Sequence, residues 1–124
     1  MTRIWAKFDV DMPDNAKILP LSDAAFRALV EMTLWSRKHL SSGLLATRLA
    51  HARWGEPICA ELCSHDDTNP SLKRVDGGYL IHDFAVWQDT REDVEARQAR
   101  AKAAGQKGGL AKAKRARSKR LASR

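Results

Sequence analysis

Two cysteines and two histidines in the middle of the chain carry side chains that can bind a metal ion. Cys59 and Cys63 are spaced to share one face of a helix, and His65 and His51 lie near them in the sequence. Structural zinc sites join a Cys-x2-4-Cys pair to a second ligand pair at a characteristic distance, and the sequence offers no such second pair. We therefore expect free thiols that pack as small hydrophobic groups, with no metal and no other cofactor.

A second candidate for chemistry is the dipeptide His82-Asp83, whose side chains can exchange protons. General acid–base catalysis needs a reacting group within hydrogen-bond reach. The sequence places no candidate nucleophile, paired carboxylates or glycine-rich phosphate loop beside this dipeptide. The expected role of His82 is a structural hydrogen bond with Asp83 or with the backbone, and the sequence predicts no enzyme.

The strongest chemical signal is the positive charge near the C-terminus. Residues 96–124 hold eleven Lys and Arg and no acid, whereas residues 1–95 hold eleven Lys and Arg against fifteen Asp and Glu, a net charge of −4. A polycation binds nucleic acid by releasing counterions from the phosphates, and blocks of like charge are often interaction tails. A merely solvated tail, an acidic protein target and a membrane surface are the alternatives. The tail cations expected to contact nucleic acid are Arg97, Arg100, Lys102, Lys107, Lys112, Lys114, Arg115, Arg117, Lys119 and Arg120.

Two smaller groups of cations precede the tail. A predicted second helix supplies Arg48, His51 and Arg53, and a predicted hairpin supplies Lys73 and Arg74. In a helix-turn-helix the recognition helix enters the major groove, where Arg, Lys, Asn and Gln read base edges. The predicted third helix instead offers acids, cysteines and a histidine, which make a poor reading surface. Base reading by this domain and pairing with a protein therefore stay open as alternatives.

Hydrophobic periodicity predicts the elements that would position these side chains. Residues 3–12 alternate between apolar and polar, which is typical of a half-buried strand. Ser22 is a good N-cap for a helix over residues 23–39, where apolar residues recur at helical spacing. The same rules predict helices over residues 44–54 and 58–65, hairpin strands over residues 72–75 and 79–84, and an exposed helix from residue 90 to about 104 followed by disorder.

The four tryptophans allow two interpretations. Aromatic rings can stack on the bases of single-stranded nucleic acid. Packing in the core or at its edge is favoured here, because the tryptophans fall at helix and strand positions of a small domain. Of the four, Trp5 and Trp87 are expected to be partly exposed, and Trp35 and Trp54 to be packed.

The order strand, helix, helix, helix, hairpin is that of a winged helix-turn-helix, with the hairpin as the wing and the N-terminal strand added to it. The chain resembles the N-terminal winged-helix domain of phage and prophage proteins related to replication initiators and replisome organisers, especially those of actinobacterial phages. The resemblance covers residue 3 to about 111 and lies in IWAKFDVDMPDNAKILPLSDAAFRAL and VDGGYLIHDFAVWQDTREDVEARQARAKAAGQKGGLA. The chain departs from that group in a longer loop at residues 66–70, and in lacking the large C-terminal domain of full-length initiators.

Together these patterns predict an α+β fold, with a winged helix-turn-helix over residues 1–89 and a basic helix and flexible tail over residues 90–124. We expect a non-enzymatic DNA-binding protein, encoded by a phage and acting in replication initiation or transcription control. The alternative is a protein-interaction module whose acidic winged helix binds a host or phage protein while the tail tethers it to nucleic acid. Double-stranded DNA is the favoured partner over single strands and RNA, and a homodimer stays open. No apolar run approaches the roughly 20 residues of a membrane span, and the N-terminus MTRIWAKFDV has no hydrophobic segment like that of a signal peptide. We therefore expect a cytoplasmic protein, located in the host bacterial cytoplasm if a phage encodes it.

Overall fold

The computed structural model describes residues 3–122, with side chains described for residues 3–109 and for Lys112. The described residues form an α+β structure, as predicted, with a small antiparallel sheet. In chain order the elements are a 3-10 helix Met12–Asp14, α1 Asp23–His39, β1 Leu44–Ala46, α2 Thr47–Trp54, α3 Glu56–Ser64, β2 Leu72–Val75, β3 Gly78–Ile81, α4 Phe84–Trp87 and α5 Arg91–Ala122.

Helix α1 has the bounds that the sequence predicts. The hydroxyl of Ser22 accepts a hydrogen bond of 3.1 Å from the Ala25 N–H, which confirms Ser22 as the N-cap. The helix ends where Leu40 adopts a left-handed conformation with φ of 53°. Its apolar stripe faces the core, where Met32 is fully buried.

The sheet has the strand order β1-β3-β2, so β3 pairs with both neighbours. Leu45 of β1 and Arg74 of β2 both lie opposite Tyr79 of β3. Gly78 allows the close approach of β1, because a Cβ atom at this position would lie 2.1 Å from the Leu45 carbonyl oxygen. The largest side chains of the core that are fully buried are Tyr79, Met32, Leu45, Leu62 and Leu72.

The predicted helix over residues 44–54 is wrong in its first turn. Leu44–Ala46 forms β1, and α2 starts only at Thr47. Helical spacing suggested one continuous helix, but the strand conformation lets Leu45 enter the core beside β3. The third helix, predicted over residues 58–65, begins at Glu56 and ends at Ser64.

The predicted N-terminal strand over residues 3–12 is also wrong. Residues 3–9 have no regular secondary structure, and the third strand of the sheet is β1. The backbone N–H of Lys7 donates to Gln88 Oε1 at 2.7 Å, and Gln88 Nε2 donates to the Lys7 carbonyl. The side-chain amide of Gln88 thus makes the two hydrogen bonds that a neighbouring strand would make in a sheet. Val10, predicted to lie on the apolar face of the strand, is 91% exposed.

The hairpin is confirmed, with a shorter second strand than predicted. β3 ends at Ile81 rather than at residue 84. Asp83 then adopts a left-handed conformation with φ of 54°, and the chain continues into the short helix α4. The predicted exposures of two tryptophans are confirmed, because Trp5 is 69% and Trp87 58% exposed. Trp35 and Trp54 pack against the core, as predicted.

The chain divides into two units, Met1–Arg91 and Glu92–Arg124. In the second unit α5 continues to Ala122, so the predicted helix end near residue 104 is wrong. Glycines within the helix cost about 1 kcal/mol each, but the surrounding Ala, Lys, Arg and Gln are strong helix formers. Residues 95–109 are exposed throughout. No helix in the described part of the chain is long and apolar enough to cross a membrane.

Candidate nucleic-acid interface

The buried tyrosine of β3 joins two of the predicted DNA-contacting residues. Tyr79 is 1% exposed, and its hydroxyl lies 2.7 Å from Nε2 of His51 on α2. Nη1 of Arg74 on β2 donates to the same hydroxyl over 3.5 Å. Burial raises the pKa of Tyr79, Cys59 adds a smaller rise and the Arg74 charge partly opposes it, so the hydroxyl stays protonated at neutral pH. It can therefore donate to His51 while it accepts from Arg74.

The two cations of the hairpin lie on opposite faces of the sheet. Arg74 is opposite Tyr79, on the face turned to the helices, whereas Lys73 is opposite Leu80 on the outer face. The guanidinium carbon of Arg74 lies 5.6 Å from the Tyr79 ring centroid, close enough for a cation–π interaction. Arg74 remains exposed, so its charge is accessible although its position is restrained.

Helix α2 begins next to the turn of the hairpin. The Thr47 N–H donates to the Gly77 carbonyl at 3.3 Å, which places the first turn of α2 there. Arg48 follows directly and is exposed. At the other end of α2 the Arg53 guanidinium lies 5.3 Å from the Trp54 ring centroid. The tertiary structure thus brings Arg48 to the hairpin and places Arg53 at the opposite end of α2.

One acid of α3 makes a specific contact with the start of α1. The backbone N–H and the hydroxyl of Ser22 donate to Glu61 Oε2 and Oε1, each at 2.8 Å. Glu61 therefore completes the N-terminal cap of α1 from another helix, as the third-position Glu of a capping box does within one helix. The exposed residues of α3 are Glu56, Pro57 and Ser64. As expected, this surface lacks the side chains that read base edges.

The two cysteines pack between α3 and the sheet. Cys59 is buried and Cys63 half-buried, and both thiols are free. Burial raises the pKa of both thiols, and the Arg74 charge partly opposes this rise. The prediction that Cys59 packs as a small hydrophobic group is confirmed. Among the described side chains, no three His, Cys, Asp or Glu are grouped closely enough to bind a metal ion.

The remaining histidines of the sequence analysis have structural partners. Nε2 of His65 accepts from the Ser71 N–H at 2.9 Å, and Nδ1 lies 3.0 Å from the Lys17 carbonyl. This geometry requires the proton on Nδ1, and His65 then ties α3 to the start of β2. Nε2 of His82 lies 3.0 Å from Asp83 Oδ2, as expected for a local hydrogen bond.

The cations of α5 fall into two groups. The first five, which the structure describes, are exposed along the helix: Arg97, Arg100, Lys102, Lys107 and Lys112. The other five are outside the residues whose side chains are described: Lys114, Arg115, Arg117, Lys119 and Arg120.

Sequence reasoning missed the two residues that organise this surface. Tyr79 had a detectable signal, since a tyrosine at an inward strand position needs a hydrogen-bond partner for its hydroxyl. Glu61 had none, because its partner Ser22 is far away in the sequence.

No protein-family model matches the chain, and no curated protein or solved structure is significantly similar to it.

Proposed function

We propose that the chain is a non-enzymatic, double-stranded-DNA-binding protein built on a winged helix-turn-helix. The proposal assigns it to a phage and to replication initiation or transcription control, the roles that the resemblance of its sequence to replication-initiator proteins implies. It assigns no catalytic residue and no cofactor.

The element order supports the winged-helix part of the proposal. Three helices, with a short strand after the first, are followed by a hairpin, and β1 adds to the β3 side of that hairpin. In this arrangement α2 and α3 form the helix-turn-helix and β2–β3 forms the wing. The third strand comes from β1 rather than from the N-terminus, so the hairpin retains a sheet partner although the predicted strand at residues 3–12 is absent.

The contacts of Arg74 support DNA binding by this side of the domain. Arg74 presents an accessible charge beside α2 and α3, restrained by Tyr79. Restraint before binding lowers the entropy cost of ordering a long side chain on a phosphate.

The observation that carries the proposal is the run of eleven cations after Glu95 without a single acid. The described cations of this run are exposed on a helix. Such a segment provides affinity that is independent of sequence and falls steeply with salt. We assign site selection to the domain and most of the binding free energy to the tail.

The test is a fluorescence-anisotropy titration of duplex DNA by the full-length protein over a series of salt concentrations. The charge-neutralised variant Arg100→Gln/Lys102→Gln/Lys107→Gln/Lys112→Gln should make the slope of log K against log salt shallower by up to about 3.6, because each of the four lost phosphate contacts contributes about 0.9. Equal slopes for this variant and the wild type would contradict the assignment of affinity to the tail.

A single substitution tests the domain separately. Arg74→Gln should weaken duplex binding about tenfold, equivalent to about 1.4 kcal/mol. Arg27→Gln is the matched control, because Arg27 is an exposed cation on α1 with the same charge. Equal effects of the two substitutions would mean that only net charge matters and that the hairpin side of the domain does not contact DNA.

A further inference from the structure

An apolar groove of about 460 Å³ opens beside the N-terminal segment. Its floor reaches the core at Leu29 of α1 and Ile81 of β3, both almost fully buried. Phe8 and Trp87 stand at its mouth, where both aromatic rings remain substantially exposed. The volume falls in the range of about 300–1,000 Å³ that is typical of ligand pockets. Exposed large apolar side chains at the mouth of a groove are typical of an interaction surface.

The wall formed by the N-terminal segment is held in place by specific contacts. Gln88 is 7% exposed and makes hydrogen bonds with both backbone groups of Lys7. Further along, the N–H of Asp11 donates to Asp9 Oδ1 at 2.8 Å, and the 3-10 helix starts at Met12. The segment is thus fixed without belonging to the sheet, which leaves the groove open between it and α1.

The charges around the groove select its occupant. Asp9, Asp11, Asp14 and Asp83 line it, against the cations Lys7 and Lys17 and the imidazole of His82. In the described residues neither Asp11 nor Asp14 forms an ion pair, and both are exposed. The four carboxylates outnumber the two lysines of the lining, and positive groups of a partner would be attracted to it.

We propose that this groove binds a basic segment of a partner protein, in which a large apolar side chain lies between Lys or Arg residues. The apolar side chain enters the groove between Phe8 and Trp87, and the flanking cations pair with Asp11 and Asp14. A helix or an extended peptide can present such an anchor.

The groove is separate from the surface assigned to DNA. None of its lining residues is among Arg48, His51, Arg53, Lys73 and Arg74. The inference therefore goes beyond DNA binding, and it gives the chain a second contact through which DNA and a protein can be held together. Its failure would leave the DNA-binding proposal untouched, because the two experiments use different probes and different variants.

The experiment measures the anisotropy of a short fluorescent peptide of Lys and Ala with one central Trp, titrated with the full-length protein at low salt. Two matched peptides replace the Trp by Ala or the Lys residues by Glu. The Trp–Lys peptide should bind at least about tenfold more tightly than either control peptide. Asp11→Asn/Asp14→Asn should weaken its binding about tenfold, and Trp87→Ala by a similar factor, without altering the thermal unfolding midpoint by more than the control does.

The control variant is Asp67→Asn/Asp76→Asn, which makes the same change in net charge at exposed carboxylates outside the groove. It should leave peptide affinity within about twofold of the wild type. Equal losses in both double variants, or equal affinity for the Trp and Ala peptides, would overturn the proposal, because binding would then be general charge attraction.

Sedimentation velocity of the protein alone tests a different occupant. We expect Asp11→Asn/Asp14→Asn to leave the sedimentation coefficient unchanged. If the wild type self-associates at low salt and this variant does not, the groove binds a second copy of the chain, and the assignment to a different partner is wrong.

Discussion

The first unit and the helical tail of this protein are stabilised by opposite means. Met1–Arg91 holds eleven Lys and Arg against twelve Asp and Glu, a net charge of −1, and its helices and strands are held by contacts between distant parts of the sequence, such as Ser22 with Glu61. Helix α5 has exposed residues from 95 to 109 and depends on its own backbone hydrogen bonds. The difference separates two contributions to binding. A packed unit can fix the geometry of a site, whereas an exposed cationic helix can supply only charge.

Glycine substitutions give the largest expected contrast between the two regions. Gly78→Ala should destabilise the first unit by more than about 3 kcal/mol, because its Cβ would lie 2.1 Å from the Leu45 carbonyl oxygen and β1 would have to move away. Gly108→Ala meets open space on α5 and should favour the helix by about 1 kcal/mol. Chemical denaturation monitored by tryptophan fluorescence reports the first change, and circular dichroism the second.

The tryptophans all lie before residue 88. The fluorescence transition of Gly108→Ala should therefore coincide with that of the wild type. A shift of this transition, or a neutral Gly78→Ala, would mean that the two regions are not stabilised independently.

Removing the carboxylate that caps α1 should have the next largest effect. Glu61→Ala should lower the free energy of unfolding by about 1–2 kcal/mol, the lower part of the range for charge-assisted hydrogen bonds, because water can reach this site. Glu56→Ala is the matched control, and it should cost less than about 1 kcal/mol, the contribution of an acid at a helix N-terminus. Similar losses for both would mean that the contact between Glu61 and Ser22 contributes little.

Tyr79→Phe should cost about 1 kcal/mol of unfolding free energy, since it removes one buried hydroxyl and its contacts to His51 and Arg74. If Arg74 contacts DNA, the substitution should also weaken duplex binding several-fold, because Arg74 loses one of its restraints. Unchanged DNA affinity together with reduced stability would confine Tyr79 to a structural role. Urea denaturation and DNA titration of the same preparation separate these outcomes.

Alkaline pH should lower the stability of the first unit, and this is the smallest of the expected effects. Burial raises the pKa of Cys59 above its ordinary 9.0 and that of Tyr79 above its ordinary 10.0, so folding favours the protonated forms. Stability is complete below the unfolded-state pKa values and is lost as pH rises through the raised values. Thermal unfolding midpoints should therefore fall above about pH 9, and Cys59→Ala should reduce the slope of that fall at its onset. A slope unaffected by Cys59→Ala would rule out this thiol as a cause.

Local sequence signals predicted the elements that local chemistry controls. The N-cap Ser22 and the apolar spacing after it gave the bounds of α1, and the Asp76-Gly77-Gly78 turn gave the hairpin. The errors arose where a segment had a choice of partner. Residues 44–46 were predicted to be helical but form a strand that pairs with β3. Residues 3–12 were predicted to form a strand, but the backbone of Lys7 binds the Gln88 side chain instead.

The candidate sites divide in the same way. The sequence identified the cations of the hairpin, but only the sheet register shows that Lys73 and Arg74 lie on opposite faces. The sequence places two acids on α3, but only the tertiary structure shows that Glu61 caps α1. The groove was missed altogether, because its lining comes from segments at both ends of the first unit.

By itself the sequence determined the separation of charge, the free cysteines and the position of α1, since composition and nearest neighbours along the chain fix these properties. The tertiary structure decided which strand completes the sheet, which acid of α3 caps α1 and where an apolar groove opens. Each of these features depends on contacts between residues far apart in the sequence. The sequence pattern shows that a residue can form a hydrogen bond or pack in a core, but it does not show which distant residue is the partner.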